Sequence, residues 1–418
     1  MAITRKYAGV LFFLLLIVGA NVGICLAAEE DPFDDALADF YTEHNQRGLE
    51  TVKLILEEDP ENESALALQA LFEIRLGHNM NARWRIREAL KLDPENAFAN
   101  IANSWNISNS RDDPEAEMAA IEKALAADPE LAIGYNERGT RALWDDDYES
   151  ALADYSRAIE LEPNYLAAQS NLGLTYLYLE NTEAALEAYN RAIEINPESP
   201  AGYLGRGYYF YLLSEYEPAI IDYTKAIELS EDDSNGYLLR GDANLMFGDY
   251  EACLVDYSTA IDLGGGSANV FASRAWANSE LGNFESAIAD YESAIELDPE
   301  FHYAYNGAAY LIAYTDGDLE IAMSYVNQAL EIVPDDMDTM DTQAYILYKT
   351  GKLDEALEIF SELILNGYTA GHYGRGLVYE AQGEVDKAIS DYTVFLDEYP
   401  EYEPLSSDAI KRLAELEG

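Results

Sequence analysis

The ten residues DYESAIELDP at 290–299 recur as DYSRAIELEP from 154, AYNRAIEINP from 188, DYTKAIELSE from 222 and DYSTAIDLGG from 256. Aligned on their central alanine, the copies place Ala158, Ala192, Ala226, Ala260 and Ala294 at a constant interval of 34 residues. A fixed period of this length means that one supersecondary unit is copied along the chain. The fold then follows from the unit and its stacking, and overall length says little about domain count.

Two more columns define the unit. Seven residues before each alanine stands Ala151, Ala185, Ala219, Cys253 or Ala287, and twelve before that Gly139, Gly173, Gly207, Gly241 or Ala275. An alanine, a tyrosine four residues on and an alanine three further share one face of a helix, and a glycine on a preceding helix lets the two backbones approach closely. The unit is therefore two antiparallel helices. Prolines at 60, 94, 129, 163, 197, 299, 334 and 400 close one unit and open the next, because proline disfavours helical geometry in the residue before it.

Glycine at the eighth position, A-x3-Y-x2-A on the second helix, a closing proline and the period together resemble the tetratricopeptide repeat. The likeness runs from about residue 29 to 400 and is strongest from Ala132 to Pro299, with one-residue insertions near Asn109 and Gly317 and a shortened unit before Ala388. Units one and three are degenerate, Glu117 standing where a small residue belongs. The resemblance implies an all-α, right-handed α-solenoid of about ten to eleven helix pairs. Residues 401–418, containing LSSDAIKRLAELEG, read as a C-terminal capping helix with Ser406 or Ser407 as N-cap. Residues 29–60 form the degenerate first unit and 61–400 the main array.

Residues 1–28 differ in kind. Arg5 and Lys6 precede the apolar run AGVLFFLLLIVGA, and Cys25-Leu26-Ala27-Ala28 supplies small residues before EEDPFDD. The segment reads as an export signal cleaved after Ala27 or Ala28, as a membrane anchor spanning residues 8–28, or as a lipid-attachment site at Cys25, where Ile24 departs from the usual small residue. Each reading places the repeats outside the cytoplasm, secreted or in the cell envelope. The membrane would be touched only through this segment. Asn62 and Asn106 open glycosylation sequons that matter only in a glycosylating compartment.

The chain carries 79 acidic residues against 25 lysines and arginines, a net charge of −54 distributed throughout, so nucleic acid is repelled and excluded as a partner. Catalytic chemistry finds no constellation. His44, His78, His302 and His372 lie in different units without metal-ligand spacing, and phosphate loops, nucleophile elbows and paired cysteines are missing from the sequence. No cofactor or metal is expected, and the chain reads as a non-enzyme. Asp145 and Asp147 read as a solvated turn. The stretch 231–242 has calcium-loop spacing but falls where a helix should already have begun. Cys253 occupies a buried small-residue slot.

In the family the second, fifth, ninth, twelfth and thirteenth positions of a unit line the concave side, which receives peptides of other proteins. Here these positions carry Trp144, Tyr178, Tyr208, Tyr211, Trp276, Tyr303, Tyr310 and Tyr314, with Asn136, Asn235, Asn269 and Asn306 as amides. The family's carboxylate-holding cations are replaced by Asn136, Thr140, Ser170, Leu174, Leu204, Tyr208, Leu238 and Asp242. A neutral or basic peptide therefore suits the implied groove, making the protein an interaction scaffold; a carbohydrate-binding or envelope-structural module using the same rings is the alternative. Tyr155, Tyr189, Tyr223, Tyr257 and Tyr291 should be core, and Tyr208, Trp276 and Tyr310 open.

One covariation lies inside the chain itself. Arg138, Arg206, Arg240, Arg274 and Arg375 hold the seventh position of five units, and sixteen residues on stand Asp154, Asp222, Asp256, Asp290 and Asp391. Three clear units lack both. A part-buried ion pair between the two helices of each such unit is expected.

Overall fold

The computed structural model describes residues 31–111, 113–401 and 405–417. The proposed signal or anchor at 1–28 lies outside the described residues. The chain forms eleven helical hairpins and a last single helix, with no strand among the described residues. The hairpins are α1 (Pro32–Tyr41) with α2 (Asn45–Glu58), α3 (Glu63–Arg75) with α4 (Asn79–Leu92), α5 (Ala97–Arg111) with α6 (Pro114–Ala127), and α7 (Ala132–Trp144) with α8 (Tyr148–Leu161). They continue as α9 (Leu166–Tyr178) with α10 (Thr182–Ile195), α11 (Pro200–Leu212) with α12 (Tyr216–Leu229), α13 (Ser234–Phe247) with α14 (Tyr250–Asp262), and α15 (Ala268–Glu280) with α16 (Phe284–Leu297). The last are α17 (His302–Tyr314) with α18 (Leu319–Ile332), α19 (Met337–Lys349) with α20 (Leu353–Leu365), and α21 (Gly371–Gln382) with α22 (Val385–Glu398), followed by α23 (Leu405–Glu417). Units one and three, degenerate in sequence, form hairpins like the others.

Each first helix packs on its own second helix, and most also pack on the first helix of the next unit, as α9 does on α11 and α17 on α19. Second helices meet flanking first helices but not one another to a comparable extent. The more closely stacked layer lies on the inside of the curve, so first helices line the concave face.

The tyrosine column shows why the unit needs its small residues. Tyr155, Tyr189, Tyr223, Tyr257 and Tyr291 are all buried. A Cβ added at Gly173 would lie 2.8 Å from the Tyr189 ring, and one at Gly205 of the next unit 2.2 Å from the same ring. One ring thus fills space on both sides of a unit boundary. Burying it contributes roughly 4 kcal/mol at about 25 cal/mol per Å² over some 150 Å² or more.

The turns between paired helices have a requirement that the sequence hides. Their fifteenth-position residue is left-handed in Gly77, Gly248, Gly282, Gly351 and Gly383, but equally in Glu43, Asp146, Glu180, Ser214 and Asp316. Five of these ten described turns therefore hold a side chain where glycine is favoured. The second helices begin under local caps, Asp147, Asn181 and Asp249 accepting from the N–H groups of Ser150, Ala184 and Ala252.

The first hairpin turns back on the array. Its turn reaches the start of unit five and the turn before unit six. Tyr41 packs edge-on against Tyr165 at 4.8 Å, Asn196 Nδ2 donates to the Thr42 carbonyl at 2.8 Å, and Ser199 Oγ donates to Glu43 Oε2 at 2.6 Å. Beneath it the Arg75 guanidinium lies 3.7 Å from the centre of the Phe40 ring and donates to the Phe40 carbonyl at 2.7 Å. A core continuous from Ala36 to Ala168 fills the inside of this curl.

At the other end α23 covers the last hairpin through Ala409 and Leu413. It begins at Leu405, ahead of the serines expected to cap it. Ser406 Oγ donates instead to the Tyr399 carbonyl at 2.7 Å, tying the helix back to α22.

Candidate functional site

All five arginine–aspartate pairs lie within their own units and are bidentate. Nε and Nη2 of Arg138 reach Asp154 at 2.7 and 2.6 Å, those of Arg206 reach Asp222 at 2.7 and 2.8 Å, and those of Arg240 reach Asp256 at 3.0 and 2.7 Å. Arg274 meets Asp290 at 3.0 and 2.6 Å and Arg375 meets Asp391 at 2.7 Å through both nitrogens. The carboxylates are buried and the guanidinium groups only partly so.

Three parts of this network escaped the sequence. The remaining Nη1 crosses to the preceding unit, from Arg206 to Asn190 at 2.7 Å, from Arg240 to Thr224 at 3.1 Å and from Arg274 to Ser258 at 3.2 Å. The pair therefore also joins neighbours. Asn244 and Asn278 add a donor to Asp256 at 2.9 Å and to Asp290 at 3.1 Å. Tyr135, Tyr203, Tyr237 and Phe271, three residues before their arginines, lie 5.3–5.9 Å beneath the guanidinium groups. A polar residue at the twenty-fifth position before each of these arginine-bearing units was the signal to look for. These five cations are held in ion pairs within the fold.

The tyrosine tips reach toward the concave face. Tyr155 OH donates to Thr140 Oγ1 at 3.1 Å and Tyr257 OH to Asp242, both acceptors being ninth-position residues. Burial raises the Asp242 carboxyl above its ordinary range, and the Tyr257 bond works against that shift. The Tyr223 hydroxyl is buried without a partner. Tyr223→Phe should therefore stabilise the fold by about 1 kcal/mol, whereas Tyr257→Phe, which strips Asp242 of its donor, should cost about 1–2 kcal/mol. Urea-unfolding midpoints moving in the same direction for both variants would contradict this assignment.

The proposed groove residues separate into an exposed and a covered set. Trp144 is 73% and Tyr178 50% exposed, and the thirteenth position continues outward as Leu212 and Met246. Trp276, Tyr303 and Tyr314 are exposed, while Tyr208, Tyr211, Tyr310 and Asn306 are half-buried. Trp276 donates from Nε1 to Glu280 at 3.2 Å, and Tyr178 stacks on Tyr148 with centres 4.9 Å apart. Tyr208 and Tyr310 are thus less open than their register suggests, since neighbouring first helices shade them.

Asn136 requires a correction. It is 4% exposed, donates to Glu137 at 2.9 Å and accepts from Asn171 at 3.2 Å, so it cannot serve as an open amide. The folded-back first hairpin and its core close this stretch of the concave side. Glu137 is half-buried beside it, its carboxyl raised chiefly by desolvation despite the hydrogen bond from Asn136 and the pull of Arg75.

Elsewhere the chemistry is quiet. Among the described residues no group of histidine, cysteine or acidic side chains could hold a metal ion. The stretch suspected of calcium-loop spacing is helical from Ser234 onward. Asp145 pairs with Arg141 and Asp147 caps α8, which uses both in the turn. Cys253 is buried and its thiol pushed up to about 12, first by burial and then by nearby carboxylates. Asn62 caps α3 and Asn106 accepts from Arg83. A cavity of about 380 Å³ between α4, α5 and α6 is lined by alanines, asparagines and Lys123, whose ammonium is already bonded to the Pro94 carbonyl. No described helix is long and apolar enough to cross a membrane.

Eleven stacked hairpins presenting their first helices inward define a helical-repeat solenoid. Models of the tetratricopeptide repeat match residues 146–179, 167–199, 273–336 and 342–403, and the chain is a tetratricopeptide repeat protein. No curated protein matches it in sequence. Among solved structures, pilF of Pseudomonas aeruginosa is similar at 23% identity over 52% of this chain and 97% of its own, with a TM-score of 0.41. The Cut9–Hcn1 hetero-tetramer of APC/C is similar at 15% identity over 92% and 90%, with a TM-score of 0.47. A tetratricopeptide repeat protein of Parabacteroides merdae is similar at 19% identity over 60% and 98%, with a TM-score of 0.42.

Proposed function

We propose that this protein is a non-enzymatic scaffold that binds a neutral or basic segment of another protein along its concave face, in the open stretch from Trp144 to Tyr348. The observation that carries the reading is the ladder of exposed apolar side chains Trp144, Tyr178, Leu212 and Met246, one per unit at the same register position. Such a line of exposed rings and apolar tips suits an extended peptide or one face of a helix. The charge of −54 favours a partner without net negative charge. The apolar N-terminal segment supports a location outside the cytoplasm, with the scaffold either released or tethered there.

The test is selection from a random 12-residue peptide library with the repeat array, followed by Trp144→Ala, Tyr178→Ala and Trp276→Ala. Selected peptides should be poor in aspartate and glutamate, and each substitution should weaken binding by about tenfold with an unchanged thermal midpoint. Peptide binding indifferent to all three would overturn the reading. Retention on a glycan array, lost in the same variants, would favour the carbohydrate-binding alternative instead.

A further inference from the structure

Units nine and ten hold a group that neither the fold nor the ladder explains. Asp341 occupies the fifth, concave-side position of α19 and is half-buried, yet it has no ion pair or hydrogen bond among the described residues. The charge that bears on it is another carboxylate, Asp338. Burial first and Asp338 second push its carboxyl up to about 7. At the same register position of the preceding first helix, which packs against α19, the Asn306 Oδ1 is buried and also lacks a partner.

Four residues on from these two, at the ninth position of their first helices, stand Tyr310 and Tyr345. Tyr310 stacks on Tyr314 with centres 5.9 Å apart, meets Tyr345 at 6.4 Å, and Tyr345 stacks on Tyr348 at 6.2 Å. The faces of such rings are electron-rich and attract cations. Tyr345 already does so, since the Lys349 ammonium lies 5.7 Å from its centre. That lysine is bonded to Asp316 and leaves Asp341 unsatisfied.

We infer that the Asp341 carboxylate, one helical turn from Tyr345, is a subsite for the guanidinium of an arginine side chain in the bound partner. The inference rests on the groove reading above and names the chemistry at one place in it. A guanidinium is planar, stacks on tyrosine faces and presents parallel N–H groups to a carboxylate, so it suits both the unpaired Asp341 and the rings beside it in register; a carboxylate-bearing ligand suits neither. Leaving such a group unpaired costs stability in the free protein, which is the signature of a position kept for binding rather than for folding.

The probe is N-acetyl-arginine methylamide, with the citrulline counterpart as an uncharged control of the same shape, titrated into the protein and followed by tyrosine ring chemical shifts. The arginine compound should bind at least tenfold more tightly than citrulline. Asp341→Asn should lose that preference while raising the thermal midpoint by about 2–4 °C, and Tyr345→Leu should weaken arginine binding independently. Equal binding of the two compounds, or an Asp341→Asn variant that keeps the preference, would overturn the subsite. So would a lowered midpoint in Asp341→Asn, because a carboxylate that serves the fold is missed when it is removed. Peptides selected through Trp144 and Trp276 bind the Asp341→Asn variant in any of these cases if the groove reading holds, so the two ideas fail separately.

Discussion

Replacing Asp256 by alanine should destabilise the protein by about 3 kcal/mol, read as a shift of the urea-unfolding midpoint at pH 7. Asp256 is buried and accepts from Arg240 Nε and Nη2 at 3.0 and 2.7 Å and from Asn244 at 2.9 Å. Its removal strands a guanidinium and an amide together. The loss would occur although one negative charge has left a chain with 54 in excess, which by itself favours the compact state. An exposed control separates the two effects: Glu160→Ala breaks the pair with Arg157 at 3.0 Å on the surface of α8 and should move stability by less than about 0.5 kcal/mol. Substituting both partners, Arg240→Met with Asp256→Leu, should recover most of the loss, because a buried pair owes much of its apparent strength to the cost of leaving one member alone. A loss below about 1 kcal/mol for Asp256→Ala would mean that Arg240 finds water easily and that the pairs are surface features.

Tyr41→Ala should cost about 3–4 kcal/mol and should act at a distance along the chain. Tyr41 is buried against Tyr165, and the adjoining turn is bonded to Asn196 and Ser199. In a simple solenoid each unit touches only its neighbours, so damage in unit one would stay in units one and two. Here hydrogen exchange should accelerate at residues 162–200 as well, since those turns lose their cover. Exchange faster only before residue 93 would show that the first hairpin is an ordinary end unit. The contact also bears on binding: freed of the hairpin, the amides at Asn136 and Asn171 would rejoin the concave surface.

How much of this was legible in the sequence follows from the range of the forces involved. The helix pairs, the tyrosine core and the terminal helix are set by contacts within a unit and between adjacent units, and such contacts repeat with the period. The arginine–aspartate pairs were legible for the same reason, each lying sixteen residues apart and present or absent together in the eight clear units. The glycines facing Tyr189 were only half legible. Gly173 lies in the repeating column and Gly205 does not, though a Cβ at Gly205 would come closer to the ring.

The candidate site was legible as a register and illegible as a surface. Trp144, Tyr178 and Trp276 follow their positions outward, but Asn136 at an equivalent concave position is sealed under the core of the first curl. Asp341 passed unnoticed because one more acidic residue among 79 carries no signal until its partners can be counted. The left-handed turns were hidden by Glu43, Asp146, Glu180, Ser214 and Asp316, which pay a local strain that only the closed hairpin imposes.

The sequence by itself determined the unit, its period and the pairing of its two helices, because a repeat writes the same short-range instruction many times. Only the tertiary structure decided where the curl closes, bringing Tyr41 to Tyr165, and therefore which stretch of the concave face is covered and which stays open. The physical reason is that curvature accumulates from small differences in how successive units stack. Contacts more than a hundred residues apart are the sum of those differences and have no column of their own in the repeat.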